Sequence, residues 1–293
     1  MTGATAAARS ARNRRIEPNR RQLELLLDSF FRPARWAARA AHALGLQGRV
    51  RESIVELRLR RTANPEKPLR LAFASDFHAG ATTDPRLLDD AFARLRRLEP
   101  DLVLLGGDFV SVRASYIDHL AELIAATAAP NGKFAVLGNH DLRADHRQVT
   151  SALETAGVQM LTNHNVRLPA PFDDITLCGL DDATRGTPRA DLALDDAAGT
   201  RIVLMHSPEG LEELGSRCWD LALCGHTHGG QIALPSGTPL LMPGGPLNRR
   251  YSSGVFHLDG AGARVLLVSR GVGCSTIPLR LFAAPEVHLC LIS

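Results

Sequence analysis

The 293-residue chain lacks any apolar run of the roughly 18 residues that a membrane-spanning helix needs, so no such helix is predicted. It also lacks a basic stretch followed by an apolar segment and a small-residue cleavage site near residue 1, which gives no indication of export. Its five cysteines form no Cys-x-x-Cys pair, which argues against a disulfide framework or a thiolate zinc site. These absences predict a globular cytoplasmic protein whose cysteines are reduced and buried.

The net charge of +3 combines two regions of opposite sign. Residues 1–70 contain 16 Lys and Arg against 6 Asp and Glu, whereas the remainder contains 18 against 25. A basic arm suits an anionic surface such as lipid headgroups or nucleic acid, and an acidic body suits a cation-binding site. We therefore divide the chain into a basic N-terminal extension, residues 1–68, and a main domain, residues 69–293.

The extension itself contains two kinds of segment. Residues 1–20 are rich in Ala and Arg and have little apolar periodicity, which predicts disorder. Residues 22–46 carry apolar side chains at helical spacing, are interrupted by Pro33, and then repeat Arg every three or four positions. Such a basic amphipathic helix can lie on an anionic membrane, or it can pack on the protein's own body or on a partner subunit.

From residue 69 onward, short apolar runs alternate with helical patterns. Helices are predicted near 84–98, 115–128 and 145–156. Strands are predicted at 69–75, 101–105, 133–137, 158–161, 166–168, 175–180, 202–205, 221–224, 231–234, 254–258, 264–269 and 287–292. Repeated β–α units predict a mixed sheet covered by helices.

Five of these strands end in a side chain that can bind a metal ion: Asp76, Asp108, Asn139, His206 and His226. Functional sites of open α/β sheets lie beyond the carboxyl ends of the strands, so residues far apart in sequence can meet there. Each motif alone can be an ordinary turn, and their joint occurrence is what favours a metal site. Carboxylate, imidazole and amide ligands favour Mn²⁺, Fe²⁺, Zn²⁺ or Co²⁺.

Taken in order, the motifs are Asp76-Phe77-His78, Gly107-Asp108, Gly138-Asn139-His140-Asp141, His206 and Gly225-His226-Thr227-His228. This series resembles the calcineurin-like metallophosphoesterase superfamily. The segments 225–231, 251–254 and 269–273 are similar to its YkuE-type bacterial phosphodiesterase branch. The resemblance covers about residues 69–292 and implies an α/β fold built as a four-layer α/β/β/α sandwich.

The resemblance also implies two divalent metal ions, with manganese among the candidates. One ion would be held by Asp76, His78 and His228, and the other by Asn139, His206 and His226. Asp108 would bridge the two ions, and a hydroxide bound between them would attack phosphorus.

Catalytic roles follow from the same resemblance. His140 would stabilise or protonate the leaving oxygen, and Asp141 would hold the ring of His140 in orientation. Arg270 and His164 are weaker candidates for substrate contacts, because Arg270 can equally form a structural ion pair and His164 can cap a turn.

The expected activity is hydrolysis of a phosphodiester or pyrophosphate bond in a small phosphorylated substrate. An alternative is an enzyme like the UDP-2,3-diacylglucosamine pyrophosphatases of lipid A synthesis. Its lipid-linked substrate would suit peripheral contact of residues 22–46 with the inner face of the cell membrane. A non-catalytic scaffold would be expected to lose ligands, yet every ligand position is filled. Nucleic acid is not expected as a partner, because no basic, aromatic-lined stripe lies near the motifs.

Overall fold

The computed structural model describes residues 21–59, 68–258 and 264–293. The predicted disorder of residues 1–20 therefore lies outside the described residues. Within the described ranges, two six-stranded sheets face each other and helices cover their outer faces. The predicted four-layer α/β/β/α sandwich is confirmed.

The first sheet is mixed. Its order is β1 (Arg51–Leu57), β12 (Glu286–Ile292), β2 (Leu69–Ala74), β3 (Leu102–Leu105), β4 (Lys133–Ala135) and β5 (Val158–Met160). Strands β2 to β5 run parallel, and β12 lies antiparallel to β2 but parallel to β1. The carboxyl ends of β2, β3 and β4 therefore meet at one edge.

The second sheet has a parallel centre and antiparallel edges. Its order is β10 (Gly254–His257), β11 (Val265–Val268), β9 (Leu221–Cys224), β8 (Thr200–Leu204), β7 (Ile175–Gly179) and β6 (His164–Arg167). Strands β7, β8, β9 and β11 are parallel, whereas β10 and β6 are antiparallel to their neighbours.

Nine α-helices occur among the described residues, and none of them is long and apolar enough to cross a membrane. Short 3₁₀ turns lie at Pro33–Arg35, Ala114–Tyr116 and His228–Gly230. The helices are α1 (21–31), α2 (Trp36–Ala43), α3 (Pro85–Arg97), α4 (Ile117–Ala125), α5 (Asn139–Arg143), α6 (His146–Thr155), α7 (Ala190–Ala193), α8 (Gly210–Leu214) and α9 (Pro246–Arg250).

Successive side chains of each strand point to opposite faces of its sheet, and this divides the core into layers. Leu71 and Phe73 of β2 point towards Leu204 of β8 and Leu223 of β9, and this cluster fills the space between the sheets. The intervening residues of the first sheet pack on α3, α4 and α6. Since side chains in a strand alternate between faces, the buried residues of β2 and β3 contribute both to the core between the sheets and to the core under the helices.

Helix α3 begins where the sequence predicts. The carboxylate of Asp84 accepts a hydrogen bond from the backbone N–H of Arg86 at 2.9 Å, and Pro85 occupies the first helical position. Leu88, Phe92 and their neighbours on the same face are buried against the first sheet.

Three sequence-based expectations differ from the structure. The sheet begins at residue 51 rather than 69, because β1 falls within the predicted extension yet pairs with β12 along its length. The strand predicted at 231–234 is reduced to isolated bridges at Ile232 and Ala233, since a turn of 3₁₀ helix precedes it. All five cysteines are free, but Cys218 is exposed rather than buried.

Candidate metal centre

Seven predicted ligands meet where the carboxyl ends of strands from both sheets come together. Each lies two to four residues beyond a strand: two after β2, one after β3, one after β4, one after β8 and two after β9. Six are buried and His226 is partly buried: Asp76, His78, Asp108, Asn139, His206, His226 and His228. The sandwich thus brings together residues from five separate loops.

One group of ligand atoms surrounds Asp76. The Nε2 atoms of His78 and His228 lie 2.9 Å apart. Asp76 Oδ1 lies 3.6 Å from His228 Nε2, and Asp108 Oδ2 lies 3.5 Å from His78 Nε2. Asp76, His78 and His228 can therefore offer two nitrogens and one carboxylate oxygen to one ion, and Asp108 lies beside them.

A second group surrounds His206. Its Nε2 lies 3.3 Å from Asp108 Oδ2, 3.2 Å from Asn139 Oδ1 and 3.1 Å from His226 Nδ1. The other ring nitrogen of His206 contacts the carbonyl oxygen of Gly106 at 2.8 Å. That contact assigns a proton to Nδ1 and turns Nε2 towards the three acceptors. Asp108 Oδ2 belongs to both groups.

The donor set fits divalent metal ions because acceptor atoms converge there while hydrogen-bond donors are few. Burial lowers the pKa of His78 to about 4 and holds that of His228 well below its usual range, so both rings are neutral at pH 7. Burial opposes protonation of His206 as well, but Asp108 raises its pKa well above the ordinary value. Asp108 thus favours a positive charge beside Nε2 of His206, and a metal cation can supply that charge in place of the His206 proton.

Asp108 is kept ionised by its neighbours. Burial acts to raise its pKa, yet His206, His140 and His78 together hold it well below the usual range. By contrast, burial raises the pKa of Asp76 to about 6. The Asp76 carboxylate accepts hydrogen bonds from Ser75 Oγ at 2.6 Å and from the backbone N–H of His226 at 3.0 Å.

Backbone strain is concentrated at the same residues. Five of the seven ligands adopt a positive φ between 43° and 71°, although none is glycine: Asp76, His78, Asp108, His226 and His228. Left-handed conformations at non-glycine residues cost on the order of 1 kcal/mol each and persist only where the surroundings impose them. Such clustering of strain is typical of a functional site.

Two glycines allow the loops to approach the ligands. A Cβ atom on Gly138 would collide with Asp108 and with His206, and one on Gly225 would collide with Asp76 and Ser75. Neither glycine has a positive φ, so the requirement is for space rather than for backbone freedom.

His140 lies beside the first group of ligands, with its ring centroid 4.7 Å from that of His78. Its backbone N–H donates to Asp108 Oδ1 at 2.7 Å, and its Nδ1 contacts the carbonyl oxygen of Ser111 at 2.8 Å. Burial holds the pKa of His140 well below its usual range, so the resting ring is neutral. Ser111 therefore sets the ring's tautomer, with Nδ1 carrying the proton.

The prediction that Asp141 orients this ring is wrong. Its carboxylate accepts hydrogen bonds from the backbone N–H groups of Val110 and Gly138, at 3.0 and 2.9 Å, and so it ties together the loops after β3 and β4. Because α5 begins at Asn139, consecutive side chains point in different directions, and Asp141 faces away from the ring. Burial, reinforced by Asp108, raises the pKa of Asp141 to about 8.

The two weaker candidates have other surroundings. Arg270 donates from Nη1 to Glu286 Oε2 at 2.7 Å, the ion pair that the sequence left open, and its side chain is about one-third exposed. His164 is exposed at the start of edge strand β6, opposite Gly179. A phosphate contact by either residue stays a prediction.

Sequence reasoning missed Arg280 as a neighbour of the site. Its guanidinium is buried, donates to the carbonyl oxygens of Gly273, Ala283 and Arg270, and lies 3.0 Å from His228 Nδ1. A buried arginine without a carboxylate contact fixes several backbone segments at once. The Pro278-Leu279-Arg280 sequence gave no indication of a contact with a residue 52 positions earlier.

Fold and site define a metal-dependent hydrolase of phosphoester bonds, and comparisons with known proteins agree. The model of the calcineurin-like phosphoesterase family matches residues 69–230. Phosphodiesterase YaeI of Escherichia coli is 33% identical over 228 residues, covering 76% of this chain and 81% of that protein. The uncharacterized metallophosphoesterase YkuE of Bacillus subtilis is 30% identical over 219 residues, covering 73% and 75%. The chain belongs to the calcineurin-like phosphoesterase family.

Proposed function

We propose that the chain is a dinuclear metal-dependent phosphohydrolase that cleaves a phosphodiester or a pyrophosphate bond. The observation that carries this proposal is the sharing of Asp108 Oδ2 between two groups of ligand atoms, 3.5 Å from His78 Nε2 and 3.3 Å from His206 Nε2. One carboxylate between two sets of nitrogens is the arrangement that a two-metal site requires.

Asp76, His78 and His228 would hold one ion, and Asn139, His206 and His226 the other, with Asp108 common to both. Two ions would supply Lewis acidity and lower the pKa of water. Manganese, iron, zinc and cobalt all suit these nitrogen and oxygen donors.

The protein's own residues position the substrate and handle the proton. His140 presents Nε2 as a lone pair while Ser111 retains the proton on Nδ1, so the ring can take up a proton from water on Nε2 and then donate it to the leaving oxygen. The negative charge of a bound phosphate would raise the pKa of His140 and favour that uptake. Asp141 contributes by fixing the Gly138 and Val110 backbone.

For the substrate, a phosphodiester is the first choice, since YaeI carries the name of a phosphodiesterase. A lipid-linked nucleotide, as in a UDP-2,3-diacylglucosamine pyrophosphatase, is the second, and exposed apolar side chains on α1 favour it. We place the enzyme in the cytoplasm, at the inner face of the cell membrane, and expect no nucleic-acid partner.

Metal analysis combined with hydrolysis tests the proposal. The purified chain, reconstituted in turn with Mn²⁺, Fe²⁺, Zn²⁺ and Co²⁺, should bind two ions and hydrolyse bis-p-nitrophenyl phosphate. Asp108→Asn should lower kcat by about a thousandfold or more, because the bridge helps to position both ions. The exposed Asp118→Asn serves as the matched control. A single bound ion with full turnover would contradict the dinuclear assignment.

A further inference from the structure

Helix α1 is oriented with its acidic side inwards and its apolar side outwards. Glu24 and Asp28, one helical turn apart, are only 8% and 4% exposed. On the opposite side Leu23, Leu26 and Phe30 are 53%, 67% and 63% exposed. A helix that packs on a protein core normally does the reverse, so its outward side needs an explanation.

Two ion pairs hold the helix in this orientation. Arg113 Nε donates to Asp28 Oδ2 at 2.7 Å, and Arg143 Nη1 lies 3.1 Å from Glu24 Oε2. Arg143 also donates from Nε to the carbonyl oxygen of Asn139 at 3.2 Å, and Asn139 is itself a predicted metal ligand at the start of α5. The helix is thus linked through Arg143 to the backbone of one predicted ligand.

A cavity beneath α1 connects the helix with the catalytic residues. Leu27 of the helix lines it together with Ser111 and His140. The inward side of α1 therefore forms part of the wall of a cavity that His140 also lines.

The exposed apolar surface extends beyond α1. Trp36, 49% exposed, donates its indole N–H to the carbonyl oxygen of Phe30 at 3.2 Å, and its ring lies 5.7 Å from that of Phe30. We call Leu23, Leu26, Phe30 and Trp36 the α1 face. Aromatic rings beside leucines are typical of segments that lie in the headgroup region of a bilayer.

Positive charge lies on one side of the α1 face. Arg32, Arg35 and Arg39 line one open pocket beside it. Between residues 21 and 50 the sequence contains only two acidic residues, Glu24 and Asp28, and both are buried. The surface therefore combines apolar side chains with a basic border and has no exposed carboxylate in this segment.

We propose that the α1 face is a docking surface for an anionic lipid bilayer, which would bring the cavity lined by Leu27 and His140 close to the lipid headgroups. Apolar side chains would enter the interface while the arginines contact anionic headgroups. A second copy of the chain fits less well, because pairing two such faces would bring arginine against arginine. The docking surface does not depend on which phosphoester the metal centre cleaves.

Vesicle flotation of the full chain tests the apolar part. Vesicles of phosphatidylcholine mixed with phosphatidylglycerol should carry the wild-type protein upwards, whereas pure phosphatidylcholine should not. Leu23→Gln/Leu26→Gln keeps every charge and should lower the partition coefficient at least about tenfold, since two leucines that would enter the bilayer are lost. Leu192→Gln, at a similarly exposed position on α7, should behave like the wild type.

The charged part is tested separately. Arg32→Gln/Arg39→Gln should lower binding about 30-fold at physiological salt, because each juxtamembrane arginine contributes to attraction by anionic lipid. Wild-type protein that stays in the soluble fraction with both vesicles overturns the proposal. Equal flotation of Leu23→Gln/Leu26→Gln and wild type also overturns it. Sedimentation analysis adds one more decisive outcome. If the wild type is a dimer that binds no vesicles and the leucine variant is a monomer, the α1 face serves self-association and the proposal is overturned.

Hydrolysis measured without vesicles separates the docking proposal from the proposal that the chain is a phosphohydrolase. Leu23→Gln/Leu26→Gln should hydrolyse bis-p-nitrophenyl phosphate at the wild-type rate, whereas Asp108→Asn should lose hydrolysis but float with the vesicles as the wild type does. If the leucine variant lost both its hydrolysis in solution and its binding to lipid, α1 would only maintain the fold. That outcome would overturn the docking role.

Discussion

His78 and His228 place their Nε2 atoms 2.9 Å apart, although 150 residues separate them in the sequence. Burial lowers the pKa of both rings, so neither is a cation at neutral pH. A single proton shared between the two nitrogens, or a metal ion bound to both, satisfies this contact. With carboxylate oxygens of Asp76 and Asp108 nearby, a divalent ion balances the charge as well.

His228→Gln should therefore weaken one of the two metal sites. We expect the affinity for that ion to fall by more than the roughly 100-fold that loss of a residue hydrogen-bonded to a metal ligand typically costs. Isothermal titration of the metal-free protein with Mn²⁺ measures it. The exposed His257→Gln is the control, and two unchanged sites in His228→Gln would remove His228 from the ligand set.

Metal removal should lower the free energy of unfolding. Ions that bind only the folded state stabilise it by about 4 kcal/mol at a free concentration of roughly 1,000 Kd, and they also offset the strain of five ligands at positive φ. Urea unfolding with and without a chelator measures the difference. The shift should be much smaller in Asp108→Asn, and an equally large shift there would point to metal bound elsewhere.

Gly138→Ala should disturb both groups of ligands at once. Its Cβ atom would meet Asp108 and His206, and overpacking of this kind costs typically about 1–3 kcal/mol. Metal affinity and kcat should both fall, as measured by titration and by hydrolysis of bis-p-nitrophenyl phosphate. Gly244→Ala is matched to it, since no atom lies near the new Cβ there, and it should change nothing.

His140→Ala should keep its metal but lose turnover. Removing a general acid–base group lowers kcat by roughly 10²–10⁴-fold. Metal content is measured alongside kcat. The pH profile of the residual activity should lack the rise or fall that titration of His140 causes in the wild type. A variant with both ions and full turnover would rule out a proton-transfer role for His140.

Glu286→Gln should lower stability in a pH-dependent manner. Burial acts to raise the pKa of Glu286, but His288 and Arg270 hold it at about 2, below its ordinary value of 4.5. Because the folded state favours the ionised form, its contribution is complete above about pH 4.5 and is lost as the pH falls towards 2.

At pH 7 the variant should be less stable by about 3 kcal/mol, and the difference should shrink by about half at pH 3. Urea unfolding of both proteins across this range measures it, with the exposed Glu122→Gln as a control. A difference that stays constant with pH would show that the ionised form of Glu286, held by His288 and Arg270, is not responsible.

The ligands were predictable because each one follows a buried strand. Asp76 after β2 and His226 after β9 are fixed by local patterns, and parallel strands bring their carboxyl ends to the same edge whatever the loops between them do. Helix α3 was predictable for a similar reason, since Asp84 and Pro85 mark its beginning locally.

What the sequence did not reveal depends on partners distant in the chain. Strand β1 contains three charged residues and one serine among its seven and leaves Ile54 exposed, so its pattern resembled that of a polar extension. Its partner β12 lies more than 200 residues later. Helical spacing predicted α1, but ion pairs of Glu24 and Asp28 with distant arginines decided which side of the helix is buried.

Strand β12 lies between β1 and β2, and only ten or so residues separate those two strands in the sequence. During synthesis on the ribosome, β2, β3 and β4 can pair early, but β1 has no neighbour until residues 286–292 emerge. An unpaired strand edge of β2 is therefore open to other chains throughout translation. We expect yield of folded protein to depend on chaperones that shield this edge until the last strand arrives.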